Sequence, residues 1–445
     1  MTTNSKTALQ RGLERIQDPF SSFIRAQATI SWLLLLATVL ALWWANSDYY
    51  STYRNLTHTP VGFFLGDFRL QTSLKYVIND GLMVLFFLLL GLEIKREVIS
   101  GDLARKENRR MLLLCAAGGI VFPAAIYLVF NWSLDSDVGW GIPIATDTAF
   151  ALGVLTIVRK HIPGSLLAFL VGLAIVDDIG AILVIAIFYA QDISVLFLSS
   201  AIALIAFLAL GNYAGIRQRY FYIFIGIAAW WMMLKSGVHP TLAGVAIALT
   251  IPARPELTSK KQLGRAKTII RSMQKEAKPV DALGSSTDHE HMMEVRDSAE
   301  RASTPLRRWE DALESPVALI VLPLFVLTNA GVPFSLNSLV ESLKNPVGLG
   351  IISGLVLGKF IGISGACWLG LRYKMGRLPE GVNFQHVIGV SFIAGIGFTM
   401  STFIATLGFD AQPDHLQSAK SSILVASLIS AILGVLYIRI FAAKK

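Results

Sequence analysis

The stretch VGLAIVDDIGAILVI, residues 171–185, places two adjacent acids, Asp177 and Asp178, inside an otherwise apolar run. The run extends from Leu166 to Ala190, which is long enough, at about 1.5 Å per helical residue, to cross a bilayer core of about 30 Å. The two acids therefore fall near the middle of the membrane. An ionised acid at that depth costs roughly 2.5–3.5 kcal/mol. The pair needs partners, protons, water or a bound cation.

The rest of the chain has the composition of a polytopic membrane protein. Of its 445 residues, 54% are hydrophobic and only 16% are charged, and the mean hydropathy is +0.58. Apolar runs of bilayer length begin near residues 30, 75, 111, 142, 166, 193, 221, 239, 316, 347, 384 and 420. They predict an all-α protein with about twelve transmembrane helices in one transporter domain, residues 1–445.

The positive charges follow membrane topology. A net charge of +9 would suit nucleic acid, but if the N-terminus is cytoplasmic the predicted inner segments hold 32 of the 39 Lys and Arg residues and the outer segments hold 6. This is the positive-inside pattern, so both termini are predicted to be cytoplasmic, with an uncleaved first helix and no nucleic-acid partner. Cys115 and Cys367 lie in apolar spans, which favours packing over a disulfide or a metal cluster.

Three segments are predicted to lie outside the membrane core. Residues 1–29 form a cytoplasmic N-terminal segment. The outer loop, residues 47–73, contains VGFFLGDFRLQ, whose alternating runs on either side of Gly66-Asp67 predict a β-hairpin with an edge that another copy could pair with; an irregular loop is an equal alternative. Residues 253–315 form a long cytoplasmic loop, with a basic part suited to anionic lipid and a part with the composition of disorder.

The second span carries ionisable residues at both ends. Asp80 is near its outer end, and the span finishes in GLEIKREVISG. Glu93 and Glu97 are four residues apart on one helix face, with Arg96 beside them. Close charges change each other's affinity for protons, so this cluster, joined by Glu310 at the end of the long loop, could sense pH. A solvated helix end is the alternative.

Two spans carry signals for a break inside the membrane. The fourth reads GIPIATDTAFALGVL, with Pro143 four residues before Asp147 and a threonine on each side of that acid. Proline removes a backbone donor and Thr and Asp side chains compete for backbone partners, so we expect unwinding near Thr146. An intact helix with a buried acid is the alternative. The eleventh span, with Gly395 and Gly397, is a second candidate.

The tenth span supplies a buried base. GLVLGKFIGISG, residues 354–365, places Lys359 within an apolar helix, where it needs an acidic partner. Glycines at positions 354, 358 and 362 share one face and allow a neighbouring backbone to approach closely. The deep set is therefore three acids and one base, and not every acid can be neutralised by pairing.

A set of three buried acids and one lysine can bind either protons or a cation and can switch between the two. Adjacent residues lie about 100° apart on a helix, so Asp177 and Asp178 face different neighbours, and they titrate as a coupled group. Oxygen ligands suit a small hard cation, and protonation removes the charge that holds it. We find no Walker-type loop, and no cofactor or enzyme activity is expected. An intramembrane aspartyl protease and a cation channel are the alternatives.

Along nearly its whole length the chain resembles the NhaA family of sodium/proton antiporters. The motifs that carry the resemblance are VINDGLM and FFLLLGLEIKRE, ATDTAFALGV, AIVDDIGA, LKSGVH, GLVLGKFIGIS and GIGFTMS. The resemblance implies crossed, interrupted spans four and eleven, with spans three to five and ten to twelve as inverted repeats. It implies that Asp178 is the principal cation and proton carboxylate. Asp177 would be its partner and would pair with Lys359, while Thr146 and Asp147 would lie at the crossing, where Asp147 and Lys359 would offset the helix-end dipoles.

The resemblance also implies a physiological role. It predicts electrogenic export of Na⁺ or Li⁺ in exchange for two protons, across the bacterial inner membrane, for pH homeostasis and salt tolerance. The outer hairpin would join two copies in a homodimer. The residues implied in pH response or the inner funnel are Asp80, Glu93, Arg96, Glu97 and Glu310. The chain departs from the family at Asp311, where a histidine is expected, and in the length of the loop from Pro252.

Overall fold

The structure, a computed structural model, describes residues 19–65, 68–101, 106–190, 192–254, 303–333 and 344–442. Most of the predicted N-terminal segment and most of the predicted loop 253–315 lie outside the described residues. The described part of the chain is helical except for its turns, its irregular connections and one two-stranded sheet.

The helices follow the predicted spans in chain order. They are α1 (Pro19–Ala45), α2 (Tyr50–His58), α3 (Leu74–Ser100), α4 (Lys106–Asn131), the 3₁₀ helix α5 (Asp137–Ile144), α6 (Thr148–Ile157), α7 (Gly164–Phe188), α8 (Val195–Tyr213), α9 (Arg219–Lys235), α10 (Thr241–Thr250), α11 (Pro305–Asn329), α12 (Pro346–Arg372), α13 (Phe384–Ile393), α14 (Phe398–Gly408) and α15 (Pro413–Ala442).

The lengths and apolarity of these helices make the chain a multi-pass membrane protein. Within the described residues, seven helices are long and apolar enough to cross a membrane, and three bent pairs raise the number to ten. The shorter α9 and α10 occupy the predicted seventh and eighth spans. Each predicted span thus coincides with a helix or a bent helix pair, which confirms the predicted all-α polytopic class.

The predicted hairpin is confirmed. Strands β1 (Pro60–Leu65) and β2 (Phe68–Ser73) are antiparallel, with Pro60 opposite Ser73 and Leu65 opposite Phe68. The preceding helix α2, which turns by 115° from α1, was not predicted because its sequence YSTYRNLTH lacks a long apolar run. Its buried Tyr53 hydroxyl donates a hydrogen bond of 2.8 Å to the Leu327 carbonyl.

The chain divides into two compact units. The first contains the described residues up to Met83, Glu97–Ala190 and those from Ala318 onward. Its apolar core is formed by side chains of α4, α6, α7, α12, α13 and α15, among them Leu155, Leu170, Leu173, Ile363 and Val390. The second contains Val84–Arg96 and the described part of Gln191–Val317, and its core includes Leu92, Leu208, Tyr222 and Ala248.

Helices α4 and α12 of the first unit approach each other at glycines. A Cβ on Gly362 would overlap the Gly118 carbonyl, and one on Gly358 would lie 2.6 Å from the Pro123 Cα. The predicted close approach along the glycine face of α12 is therefore present. One π-helical turn, Gly354–Gly358, ends immediately before Lys359. The interface fixes the backbone next to that lysine.

Candidate ion-binding site at two interrupted helices

The fourth span is broken where the sequence predicts. Helix α5 ends at Ile144, Ala145 is extended, and α6 begins at Thr148 after a bend of 43°. The eleventh span is broken in the same way, because α13 ends at Ile393 and α14 begins at Phe398, with a bend of 47°. The alternative of an intact fourth helix is wrong.

The two breaks satisfy each other's polar groups. The Asp147 backbone N–H donates to the Ile396 carbonyl at 2.6 Å, and the Thr146 hydroxyl lies 2.9 Å from the Ala394 carbonyl. Irregular backbone at membrane depth is tolerated only where such partners exist. The two non-helical segments therefore contact each other at the point where both helices are interrupted.

Asp147 caps two helices with one carboxylate. Its Oδ1 accepts a hydrogen bond of 3.1 Å from the Phe150 N–H in the first turn of α6. Its Oδ2 accepts from both the N–H and the hydroxyl of Thr399, at 2.8 and 2.6 Å, in the first turn of α14. A carboxylate is favourable at the positive end of each helix dipole. With three donors on a side chain that is only 2% exposed, Asp147 is held as a cap.

Lys359 forms a fully buried ion pair with Asp177. Its Nζ is 2.5 Å from Asp177 Oδ2, and both side chains are 0% exposed. The Thr146 hydroxyl lies 2.9 Å from the same oxygen. The pair links α12 to α7 and, through Thr146, to the break of the fourth span. The lysine thus neutralises an acid on a neighbouring helix.

Asp178 completes the set that the sequence predicts. It follows Asp177 on α7 and is 3% exposed, and helix geometry turns its side chain about 100° from that of Asp177. All five predicted cation and proton residues, Thr146, Asp147, Asp177, Asp178 and Lys359, belong to the first unit and are buried. Asp177 and Asp178 are therefore two adjacent, buried carboxyl groups on α7.

Thr399 is a site residue whose role the sequence did not reveal. It lies in the predicted break of the eleventh span, but its two hydrogen bonds to Asp147 join residues 252 positions apart. One signal was available, because Thr399 follows the glycines at a helix start, where N–H groups lack intrahelical partners. The identity of the acceptor requires the fold.

The predicted pH-response residues are divided between the two units. In the second unit, Arg96 Nε is 3.1 Å from Glu310 Oε1, with side-chain exposures of 32% and 10%. Glu93 lies near both residues, and Lys95 donates to the carbonyls of Leu249 and Ile251 at 2.6 and 2.5 Å. We call these four residues the Glu310 cluster: Glu93, Lys95, Arg96 and Glu310.

Asp80 and Glu97 belong to the first unit. Asp80 is buried in a π-helical turn of α3, Val77–Leu82. Its neighbour Asn79 accepts a hydrogen bond of 2.8 Å from the Asn329 amide. Glu97 is half-buried near the other end of α3. A π-helical turn within an α-helix is often found at functional positions.

Comparison with known proteins gives a consistent result. A family model described as Na+/H+ antiporter 1 matches residues 21–438. The Na(+)/H(+) antiporter NhaA 2 of Psychromonas ingrahamii is 69% identical over 446 residues, which cover all of this chain and 94% of that protein. The Na(+)/H(+) antiporter NhaA 1 of Shewanella denitrificans is 66% identical over 444 residues, covering all of this chain and 99% of that protein. The Na(+)/H(+) antiporter NhaA 1 of Saccharophagus degradans is 40% identical over 440 residues.

Proposed function

The chain belongs to the Na+/H+ antiporter 1 family, and we propose from this membership that it exports Na⁺ or Li⁺ in exchange for protons. The membrane is the bacterial inner membrane, and both termini face the cytoplasm. The observation that carries the proposal is the buried Lys359–Asp177 pair beside Asp178, next to the crossing of two interrupted helices. The proton gradient supplies the driving force.

Competition for carboxylate oxygens produces the exchange. Asp178 is the principal carrier: its carboxylate holds a proton in one state and the cation in the other. Asp177 is its coupled partner, because the Asp177 carboxylate that pairs with Lys359 also attracts a cation bound to the neighbouring Asp178. Neutral oxygens complete a small hard cation's coordination. The Thr146 hydroxyl, 2.9 Å from Asp177 Oδ2, and the Ala394 carbonyl, 2.9 Å from that hydroxyl, are oxygens of this kind.

Asp147 acts in this mechanism as a positioning residue. Its three hydrogen bonds fix the ends of α6 and α14, and therefore fix the carbonyls and the Thr146 hydroxyl that border the site. The backbone at a break is otherwise free to adopt other conformations. Ordered breaks let the site present the same ligands each time it is reached, from one side of the membrane or the other, by alternating access.

The exchange moves net charge when two protons leave for each sodium that binds. Asp178 and the Asp177–Lys359 pair are the two coupled groups that can lose them. The Glu310 cluster responds to cytoplasmic pH, since protonation of Glu310 removes its attraction for Arg96. Glu97 contributes to the pH response from the first unit. Asp80, near the outer end of the second span, takes part in the pH response from the outer side of the membrane. The physiological result is pH homeostasis and salt tolerance, in a homodimer joined through the edges of the β1–β2 hairpin.

The site assignment is tested in proteoliposomes. Vesicles loaded with protons and a pH-sensitive dye are diluted into medium, and Na⁺ is then added. We expect Na⁺-evoked dequenching with the wild-type protein and none with Asp178→Asn. The matched control is Asp414→Asn, which removes an exposed carboxylate at the start of α15 and should leave dequenching intact. Dequenching at the wild-type level in Asp178→Asn would contradict the assignment of Asp178 as the principal carrier.

Charge movement and cation choice are tested with the same vesicles. An imposed potassium diffusion potential should change the initial rate of Na⁺-evoked exchange, and a rate indifferent to the potential would argue for one-for-one exchange. Replacing Na⁺ by Li⁺ should preserve the signal. Replacing it by K⁺ should abolish the signal, because the larger ion does not fit a site made for a small hard cation.

A further inference from the structure

The two cysteines of the chain face each other across one helix interface. The sequence contains only Cys115 and Cys367, on α4 and α12, and both are 0% exposed. The two thiols are electrostatic neighbours of each other. Any chemistry of thiols in this protein is therefore chemistry of this one pair.

The register of the two helices supports the thiol contact independently. Helices α4 and α12 run antiparallel: Gly118 lies against Gly362 and Ala366, and Met111 lies against Gly370. Cys115 is midway between the α4 positions of these contacts, and position 367 is close to midway between their α12 counterparts. The glycines bring the two backbones close, so residues between them are held face to face.

A third sulfur borders the pair. Met111 is 1% exposed and lies one helical turn before Cys115 on the same face of α4. A Cβ on Gly370 would be 2.9 Å from the Met111 sulfur, which places that sulfur in the same interface. Thiol and thioether sulfurs are soft ligands that select monovalent copper and similar cations over Na⁺ or Mg²⁺.

The pair is also close to the site of the proposed function. Gly119 is one turn after Cys115, and a Cβ there would be 3.5 Å from Asp177 Oδ1. One turn of helix is about 5.4 Å. A monovalent cation that reaches Asp177 along the sodium path is therefore separated from Cys115 by about one helical turn and one van der Waals contact.

We propose that Cys115 and Cys367 form a two-coordinate site for a thiophilic monovalent cation, Cu⁺ or Ag⁺, and that its occupation stops exchange. This inference rests on the proposed function for the route of entry. One thiol loses its proton to water as its sulfur bonds the metal, and the other ligates as a neutral thiol. The charges of the thiolate and the monovalent cation cancel, so the buried complex carries no net charge. The metal then bridges α4 to the helix that carries Lys359.

The binding test uses Ag⁺ as the probe, because it does not change oxidation state. Detergent-purified full-length protein is equilibrated with silver nitrate in chloride-free buffer, and bound metal is counted after desalting. We expect one tightly held Ag⁺ per wild-type chain and none in Cys115→Ser/Cys367→Ser. Either single variant should hold Ag⁺ more weakly than the wild type, because only one thiol and the Met111 thioether remain in the interface. Equal retention in wild type and double variant would overturn the site.

The inhibition test compares the same proteins in proteoliposomes. The serine variants should exchange Na⁺ for protons normally without silver. The Ag⁺ concentration that halves exchange should rise at least tenfold in the double variant, and excess Na⁺ should delay inhibition of the wild type. Equal sensitivity of the two proteins overturns the proposal. Binding is measured without transport, so absence of Na⁺ exchange would contradict the proposed function while leaving the binding result to decide the metal site.

Discussion

Two ion pairs in the described part of the chain, one in each unit, differ in solvent exposure. Lys359 and Asp177 are 2.5 Å apart and have no exposed side-chain surface. Arg96 and Glu310 are 3.1 Å apart, and the arginine is 32% exposed. The first pair holds charge where water does not reach, so each partner depends on the other. The second remains in contact with solvent, which screens it and can exchange protons with it. The buried pair suits coupling to a cargo ion, and the exposed pair suits sensing the medium.

The largest effect should come from breaking the buried pair. Lys359→Ala leaves the Asp177 carboxylate buried without its cation, which costs about 3–5 kcal/mol. We expect a clear fall in the melting midpoint of the purified protein and loss of Na⁺-evoked dequenching. Lys359→Ala/Asp177→Asn removes both charges and should recover most of the midpoint. A single variant that melts like the wild type would show that the ion pair does not stabilise the protein.

Asp147→Ala should have the next largest effect, because it removes the caps of two helices. Each lost cap costs about 0.5–2 kcal/mol, and the freed breaks should also weaken sodium binding. We expect a lower melting midpoint and a higher Na⁺ concentration for half-maximal exchange. Asp147→Asn keeps an acceptor oxygen and should lose less of both. An alanine variant with unchanged sodium dependence would show that the breaks are held by other contacts.

Gly362→Ala tests the helix interface that supports the buried pair. The added methyl group would overlap the Gly118 carbonyl, and overpacking of this kind costs about 1–3 kcal/mol. Gly365→Ala is the matched control, three residues along the same helix, where nothing lies within 4 Å of an added Cβ. Thermal melting should separate the two variants, with the control at or slightly above the wild type. Equal melting midpoints of the two variants would mean that the α4–α12 interface accommodates the added methyl group without losing stability.

The smallest effect on stability should come from the more exposed pair. Arg96→Gln removes an arginine that is 32% exposed and therefore partly screened by solvent, so we expect a loss of about 1 kcal/mol, well below that of Lys359→Ala. The expected change is in the pH dependence of exchange, and Glu310→Gln should shift the profile in a similar way. Melting at low and high salt supplies the check, because the small loss should shrink further in high salt. A loss as large as that of Lys359→Ala would remove the distinction between the two pairs.

The sequence predicts the spans and the breaks well because their causes are local. Bilayer thickness requires a long apolar run such as Leu166–Ala190, and Pro143 and Gly395 weaken the helix where they occur. Acids within such runs are also easy to recognise as functional candidates, because a charge at membrane depth is energetically costly and therefore rare. The residues Asp177, Asp178 and Lys359 could therefore be selected without any structure.

The contacts that the sequence could not predict join residues that are distant from each other in the chain. The contacts of Asp147 with Thr399 and the thiol contact between α4 and α12 follow from packing, and no local pattern specifies them. Helix α11 also begins earlier than predicted, at Pro305, because its first turns are charged and resemble a loop. Burial of Leu306 and Glu310 shows that the charged stretch is an amphipathic helix.

The double cap on Asp147 has a consequence for synthesis of the chain. The first helix that it caps begins with the very next residue, whereas Thr399 on the second is made 252 residues later. A ribosome adds roughly 5–20 residues per second, so the nascent protein spends about 10–50 s in the membrane with the aspartate satisfied on one side only. The ion site is therefore among the last parts of the protein to be completed. A chain terminated before the eleventh span would carry a permanent polar defect, by which quality-control proteases could distinguish it from the finished transporter.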